Sequence, residues 1–281
     1  MADRKAKTHT TESSITLWNE SEAELAVTEV GFPSAKQGSD TPLTVTESLK
    51  QVTLSASNSR QRIIDYGEVF TPPELVKGML ELIAHECERV DSRFLEPACG
   101  NGNFLSEVLR RRLALVDLRF KTRTQWEPNA LLGLACLYGI EILQDNVTEC
   151  RNRLYDIFAD YYSSRFGDDT DFRCLDSARY IIRCNILHGD ALKMTSLDRS
   201  LKQTNSLVFT EWSLLRNGRF KRRLYEYRDL SHPEQVASND LFTPASSRIT
   251  DEEGTPVYIP CMVAEMRPLH YLLLGRSEQL K

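Results

Sequence analysis

The sequence predicts an α/β fold: a mostly parallel sheet with helices on both faces. Three observations carry this. Apolar runs of strand length alternate with helix-period segments between about residues 60 and 230. At 93–104 a strand pattern ends in a carboxylate and passes through a turn with two glycines into a helix. The composition, 41% hydrophobic and 27% charged, is that of an ordinary globular chain and excludes collagen, coiled-coil and wholly disordered classes.

Taken in order, residues 1–57 are rich in Thr, Ser and Glu, with few aromatics. Such a segment cannot bury enough apolar surface to offset its ordering entropy, so it is expected to stay flexible, with Leu25–Val30 as its one strand-like stretch. A core over 58–230 follows. Pro72-Pro73-Glu74 opens a helix whose Leu75, Met79, Leu82 and Ile83 recur at helical spacing, with Thr71 as N-cap. Arg93–Glu96 is a strand, and a helix runs from Phe104 to about Leu113. Residues 114–133 are expected to be an inserted loop. Leu134–Glu141 is the next strand, Asp145 to about Phe158 a helix, and Leu175–Cys184 another. Asn185–Leu192 holds a third strand, and Leu207–Phe209 a fourth that ends in a turn at Thr210–Ser213. Residues 231–281 read as a loop with late strand pieces at Val257–Pro260 and Tyr271–Leu274.

Charge and cysteine usage bound the function. Lys plus Arg is 35 and Asp plus Glu 40, a net −5, which excludes a globally basic nucleic-acid binder but not a local basic face. The seven cysteines are odd in number and include no Cys-x-x-Cys, so free thiols in a reducing cytoplasm are expected rather than disulfides or a metal site. No stretch approaches the ~20 apolar residues of a membrane span, and the polar start, Met1 to Lys5, carries no secretory pattern.

The most informative segment is Leu95-Glu96-Pro97-Ala98-Cys99-Gly100-Asn101-Gly102-Asn103-Phe104. Glycine permits positive φ and close backbone approach, and ligands of open α/β sheets bind outside the carboxyl ends of the strands. The third glycine of a dinucleotide fingerprint is missing, which disfavours a nicotinamide cofactor. Glu96, just before the turn, suits a cationic or donor group; the alternative is a tight strand–helix turn and nothing more.

This segment resembles the S-adenosylmethionine-binding motif I of amino-methylating DNA methyltransferases of restriction–modification systems. Three further pieces match in the family's order: Gly67–Val76 resembles motif X, Tyr138–Ile142 motif II, and His188–Leu192 motif III. The resemblance implies a Rossmann-like S-adenosylmethionine-dependent methyltransferase fold, S-adenosylmethionine as cofactor, and methylation of the adenine N6 of double-stranded DNA. It implies that Phe70, Thr71 and Pro72 border the methionine end of the cofactor. Glu96, Ala98, Gly100 and Gly102 would face the methionine moiety and its ammonium. Glu141 would accept the ribose hydroxyls, Ile142 would pack on adenine, and Asp190 with Ala191 would meet the adenine amino group. Three of these have structural alternatives: Glu141 as an exposed strand-end charge, Asp190 as a turn or cap residue, and Thr71 as a helix cap only.

The family's (Asp/Asn/Ser)-Pro-Pro-(Tyr/Phe) motif, expected at the end of the fourth strand to hold the flipped base, is absent. Thr210-Glu211-Trp212-Ser213 stands there instead. Glu211 could accept hydrogen bonds and Trp212 could stack on a base, as a divergent catalytic loop; alternatively Trp212 is a core aromatic and the chemistry is lost. Asn217-Gly218 reads as a hairpin turn. With Arg216, Arg219, Lys221, Arg222 and Arg223 it forms a candidate phosphate-contacting hairpin beside the active-site edge, or a solvated charged face. Arg110–Arg112 with Arg119, Lys121 and Arg123 is a second basic cluster. No sizeable region is left to read sequence, so a specificity or restriction subunit is the expected partner. A cofactor-binding relative acting as scaffold, and a methyltransferase of RNA or protein, are the competing readings.

Overall fold

The computed structural model describes residues 71–198, 200–231, 248–250, 256–258 and 262–276, with residues 62, 64, 65, 68 and 260 besides. The expectations for 1–57, the strand-like Leu25–Val30 and Phe70 lie outside the described residues, as does most of the stretch read as a loop at 231–254.

Helix α1 (Pro73–Leu82) is entered through Pro72, whose extended backbone (ψ 148°) precedes Pro73 in the first turn. Proline suits that turn because its missing N–H would find no partner there. Thr71 is therefore not the cap: no side chain caps this end, and the carbonyl of Thr71 instead accepts from Asn103 Nδ2 at 3.2 Å. Val76 and Leu80 are the buried positions, whereas Leu75, Met79 and Leu82 are exposed. The apolar arc of α1 is thus wider than the face the core takes up. A short helix α2 (Ala84–Cys87) follows.

Strand β1 (Phe94–Glu96) leads into α3 (Asn103–Arg119), then α4 (Arg123–Ala135) and β2 (Leu137–Glu141). The expected insertion at 114–133 is instead the end of α3 and most of α4. The long spacing from Glu96 to Glu141 and the basic start of this stretch suggested a loop, but Trp126 is fully buried and stacks on Tyr162 at 5.5 Å. A buried aromatic of this size contributes far more than one proline in the second helical turn costs. Helix α5 (Gln144–Phe166) and α6 (Phe172–Asn185), which Asp171 caps through the N–H of Arg173, lead to β3 (Ile186–Asp190).

β1, β2 and β3 run parallel in that order. Two short strands, β4 (Thr195–Leu197) and β5 (Gln203–Ser206), then extend the sheet antiparallel beyond β3. The chain is therefore α/β with a mixed five-stranded sheet, less parallel than the sequence pattern predicts. Arg112, fully buried, joins three elements around the start of β1. It donates to the carbonyls of Gly133 and Ser92 and lies over the Phe94 ring. Burial holds its pKa down to about 10, although Cys136, Cys87 and Asp91 oppose the shift.

The expected fourth strand does not end at Phe209. β6 runs from Val208 to Leu215 and folds back through a turn at Arg216–Gly218 into β7 (Arg219–Glu226), with β10 (Met262–His270) on the far side of β7. Asn217 and Gly218 adopt positive φ (59° and 64°), as the Asn-Gly pair predicts. A short helix α7 (Tyr227–Ser231) and the pair β8 (Arg248–Thr250) and β9 (Pro256–Tyr258) come between. Tyr271–Leu274, expected as a strand, belongs to a 3-10 turn (Tyr271–Arg276) pinned to α6 and α4. Ser177 Oγ donates to the Tyr271 carbonyl, and the Tyr271 hydroxyl donates to buried Glu127 at 2.5 Å. Glu127 also accepts from Tyr162.

The direction of β6 positions everything that follows. At its start, Leu207 lies against Gly189 near the carboxyl end of β3 and donates its N–H to Met194. Further along, Tyr138 Oη donates to Thr210 O, Glu211 meets Arg93 just before β1, and the Trp212 indole meets Asn185 just before β3. β6 thus runs opposite to the parallel strands, from their carboxyl ends toward their amino ends.

Candidate functional site

The turn after β1 is built as its two glycines allow. Gly100 (φ 51°) and Gly102 (φ 83°) both take left-handed conformations. At Gly102 a Cβ would also lie 2.6 Å from Cys150 Sγ, so no side chain fits. The Cys99 N–H donates to Ile140 O at 3.0 Å and the Gly102 N–H to Cys99 O at 2.8 Å, which ties the turn to the carboxyl end of β2.

Glu141, the last residue of β2, is only 8% exposed. Its carboxylate accepts the Gly100 N–H at 2.8 Å and the Leu143 N–H at 2.9 Å. It is a buried brace of the glycine turn, not an exposed strand-end charge. Glu96 ends β1 beside it. Glu96 Oε2 is buried and has no hydrogen-bond partner. Burial, and after it the proximity of Glu141, pushes the Glu96 pKa up to about 8. Two carboxyl groups thus lie close enough to interact beside the glycine turn, one satisfied by backbone donors and one with an unmet acceptor. Asn101 Oδ1, in the same turn, is likewise buried without a donor.

Described residues before α1 bond to the starts of α3 and α5. Asn103, the first residue of α3, donates to Thr71 O and accepts from Arg153. Glu68 accepts from Asn146 Nδ2 at 2.6 Å and from Arg62 at 2.5 and 2.6 Å, and Arg62 also reaches Asp145. The paired guanidinium holds the Glu68 carboxyl below its usual range against the opposing effect of burial. The Arg62–Glu68–Asn146 link was not foreseen: Glu68 lies in the segment that resembles motif X, but Asn146 is 78 residues further along the chain and belongs to no matched motif.

At β3, His188 Nε2 meets Ile142 O at 3.0 Å and so joins the third strand to the residue after Glu141. Asp190 is a turn residue in this arrangement. Its Oδ1 accepts the N–H groups of Leu192 and Lys193 at 3.0 and 3.1 Å, and Lys193 Nζ lies 3.3 Å from Oδ2. Burial works against its charge, but these donors outweigh burial and lower its pKa. Ile142 and Ala191 are half-buried, and Pro72 and Ala98 are exposed. Glu96, Gly100, Gly102 and Glu141 are therefore brought together, and Thr71 and Ile142 are bonded to that cluster's supports. Asp190 is instead bonded within its own turn, to Leu192 and Lys193.

Glu211 and Trp212 do not form a catalytic loop. Both lie within β6, not in a turn after it. Trp212 is 3% exposed, packs on Tyr180 and Phe220, and donates its indole N–H to Asn185 Oδ1 at 2.9 Å. A ring so enclosed cannot stack on a base. Glu211 is held by Arg93 at 2.5 Å and Arg223 at 3.0 Å, which keep its carboxyl below the usual range although burial opposes them.

The basic hairpin is also different from expectation. Arg222 is buried and donates to Tyr180 Oη. Arg223 is paired with Glu211 and Glu265, and Lys221 with Glu265 at 2.8 Å. Only Arg216 and Arg219 of the five are exposed. Because β6 runs away from the glycine turn, the hairpin lies at the opposite end of the sheet from the crevice rather than beside it.

Among the described residues no group of His, Cys, Asp and Glu could hold a metal ion, and no helix is long and apolar enough to cross a membrane. Comparison with protein-family models, curated proteins and solved structures gave no match.

Proposed function

We propose that the crevice between Glu96, the Gly100–Gly102 turn and Glu141 binds S-adenosylmethionine, and that the chain is a component of an adenine-N6 DNA methyltransferase. The observation that carries this is the buried, partnerless Glu96 oxygen facing a second carboxylate across a turn that admits no side chain. A buried acceptor left without a donor costs about 1–3 kcal/mol. A ligand that brings a cation removes that cost, and a sulfonium nucleoside carries an ammonium and a sulfonium charge. When bound, it supplies an activated methyl group. Glu141 keeps lone pairs free beyond its two backbone donors for a ribose diol. Ile142 offers an apolar surface at the end of β2, with Asp190 and Ala191 at the end of β3. The motif resemblance supplies the identity of the nucleoside and of the DNA substrate; the crevice chemistry supports the charge and polarity of the ligand.

The direction of β6 favours a second reading of the catalytic half. Residues 210–213 cannot hold a target base, so the chain serves as the cofactor-binding scaffold or regulator of a complex whose partner subunit brings the base-holding loop. The test is transfer of tritiated methyl from S-adenosylmethionine to unmethylated duplex DNA, with the chain alone and with the products of neighbouring genes. Transfer that Gly100→Leu abolishes supports the methyltransferase. No transfer, with cofactor binding retained, leaves the scaffold. Loss of both contradicts the proposal.

A further inference from the structure

The charges of the β6–β7–β10 sheet are distributed unevenly along its length. In the middle, cations are matched: Arg223 with Glu211 and Glu265, Lys221 with Glu265. At the tip they are not. Arg216 stands exposed in the turn, Arg219 begins β7 opposite His270, and Arg267 is exposed near the end of β10. Arg219 donates to Pro268 O at 2.7 Å, which holds β7 and β10 together here, and the His270 ring lies 4.5 Å from that of Tyr271. No Asp or Glu occurs in 212–225 or 266–276. Among the described residues, no carboxylate pairs with Arg216, Arg219 or Arg267.

This tip is separated from the cofactor crevice. Eight residues of β6 at about 3.3 Å each place it roughly 25 Å from the carboxyl end of β3, toward and past the amino ends of the parallel strands. Guanidinium groups match phosphate geometry with two parallel donors. Among the described residues, the large exposed apolar side chains at the tip are Leu215 and Leu273, 40% and 38% exposed. That is too little for the apolar centre of a protein–protein interface. A carrier of repeated phosphates fits better than an acidic protein.

We propose that Arg216, Arg219 and Arg267, on the tip of this sheet, contact the phosphodiester backbone of a nucleic acid at a surface distinct from the cofactor crevice. The contact is sequence-independent, because guanidiniums on phosphates position a duplex without reading it. It does not require the cofactor assignment to be right.

The experiment is fluorescence anisotropy of the full chain with a short labelled duplex of arbitrary sequence, over a series of salt concentrations. Each phosphate contact adds about 0.9 to the slope of log affinity against log salt. The double variant Arg216→Gln/Arg267→Gln removes two exposed side chains with no structural bond, and is expected to reduce the slope by about 1.8. Adding Arg219→Gln is expected to reduce it by about 2.7 in all, while Lys221→Gln changes it little. Thermal midpoints confirm that the variants fold. S-adenosylmethionine affinity is expected to stay at the parent value, which separates this surface from the crevice. An unchanged slope in the double variant overturns the proposal. So does competition by polyglutamate as effective as by unlabelled duplex, which would point to an acidic protein partner.

Discussion

Glu96 is the residue on which the site turns, because its carboxyl is placed where charge is costly. Its pKa, pushed up to about 8 from the usual 4.5, ties its burial to stability. The folded chain binds its proton more tightly than the unfolded chain. Its contribution is therefore fully present below about pH 4.5 and is lost as pH rises toward 8. Glu96→Gln keeps the shape and cannot ionise, so at pH 8 and above it is expected to be more stable than the parent by about 2–4 kcal/mol, and about equal below pH 4.5. Urea denaturation across that range measures it; parallel stability curves for the two proteins would contradict the assignment. Glu96 was legible in the sequence as an acid before a glycine turn. Its missing partner was not, since hydrogen-bond satisfaction depends on what the fold brings near it. Glu141 shows the same limit: its place at a strand end was readable, but its bonds to Gly100 and Leu143 come from the packing of β2 against a turn 41 residues away.

At the scale of elements, β6 decides more than any motif. Leu207–Phe209 was readable as apolar strand, but its length and direction were not. Glu211 and Ser213 lie on the less buried side of the strand, and with the polar but buried Thr210 they looked like a turn, because a three-residue apolar run does not distinguish a strand end from alternation. Trp212 marks the buried side of that alternation. Trp212→Ala is expected to cost about 3–5 kcal/mol, since it empties a core position and leaves Asn185 Oδ1 without its donor. A urea midpoint near that of the parent would contradict the core assignment and reopen a role for the ring in stacking. α4 was missed because the long spacing from Glu96 to Glu141 and a basic start read as an insertion, whereas the burial of this segment depends on Trp126 finding Tyr162 and Phe158. The parallel strands, the glycine turn and the Asn-Gly hairpin were legible because each rests on local chemistry: apolar runs, positive φ, turn residues.

At the scale of the molecule, the chain separates its chemistry by the direction of its strands. The carboxyl ends of β1, β2 and β3 gather Glu96, Glu141 and Asp190. The amino ends gather buried Arg112, Asn185 and Trp212, with the cationic hairpin tip beyond them. A net charge of −5 hides this polarity. Acidic side chains and exposed guanidiniums are thus gathered at opposite ends of one fold, which is where the proposals above place a cationic ligand and a polyanion.

The central claim, that the crevice accepts a cationic nucleoside against a protonated Glu96, is tested most directly by calorimetric titration with S-adenosylmethionine at about pH 6.5, in buffers of different ionisation enthalpy. With a pKa of about 8, Glu96 holds its proton at that pH and must give it up as the cation arrives. The account predicts saturable binding to one site with release of about one proton per ligand, and no release with weaker binding in Glu96→Gln. Binding without proton release, or none at all, would contradict it.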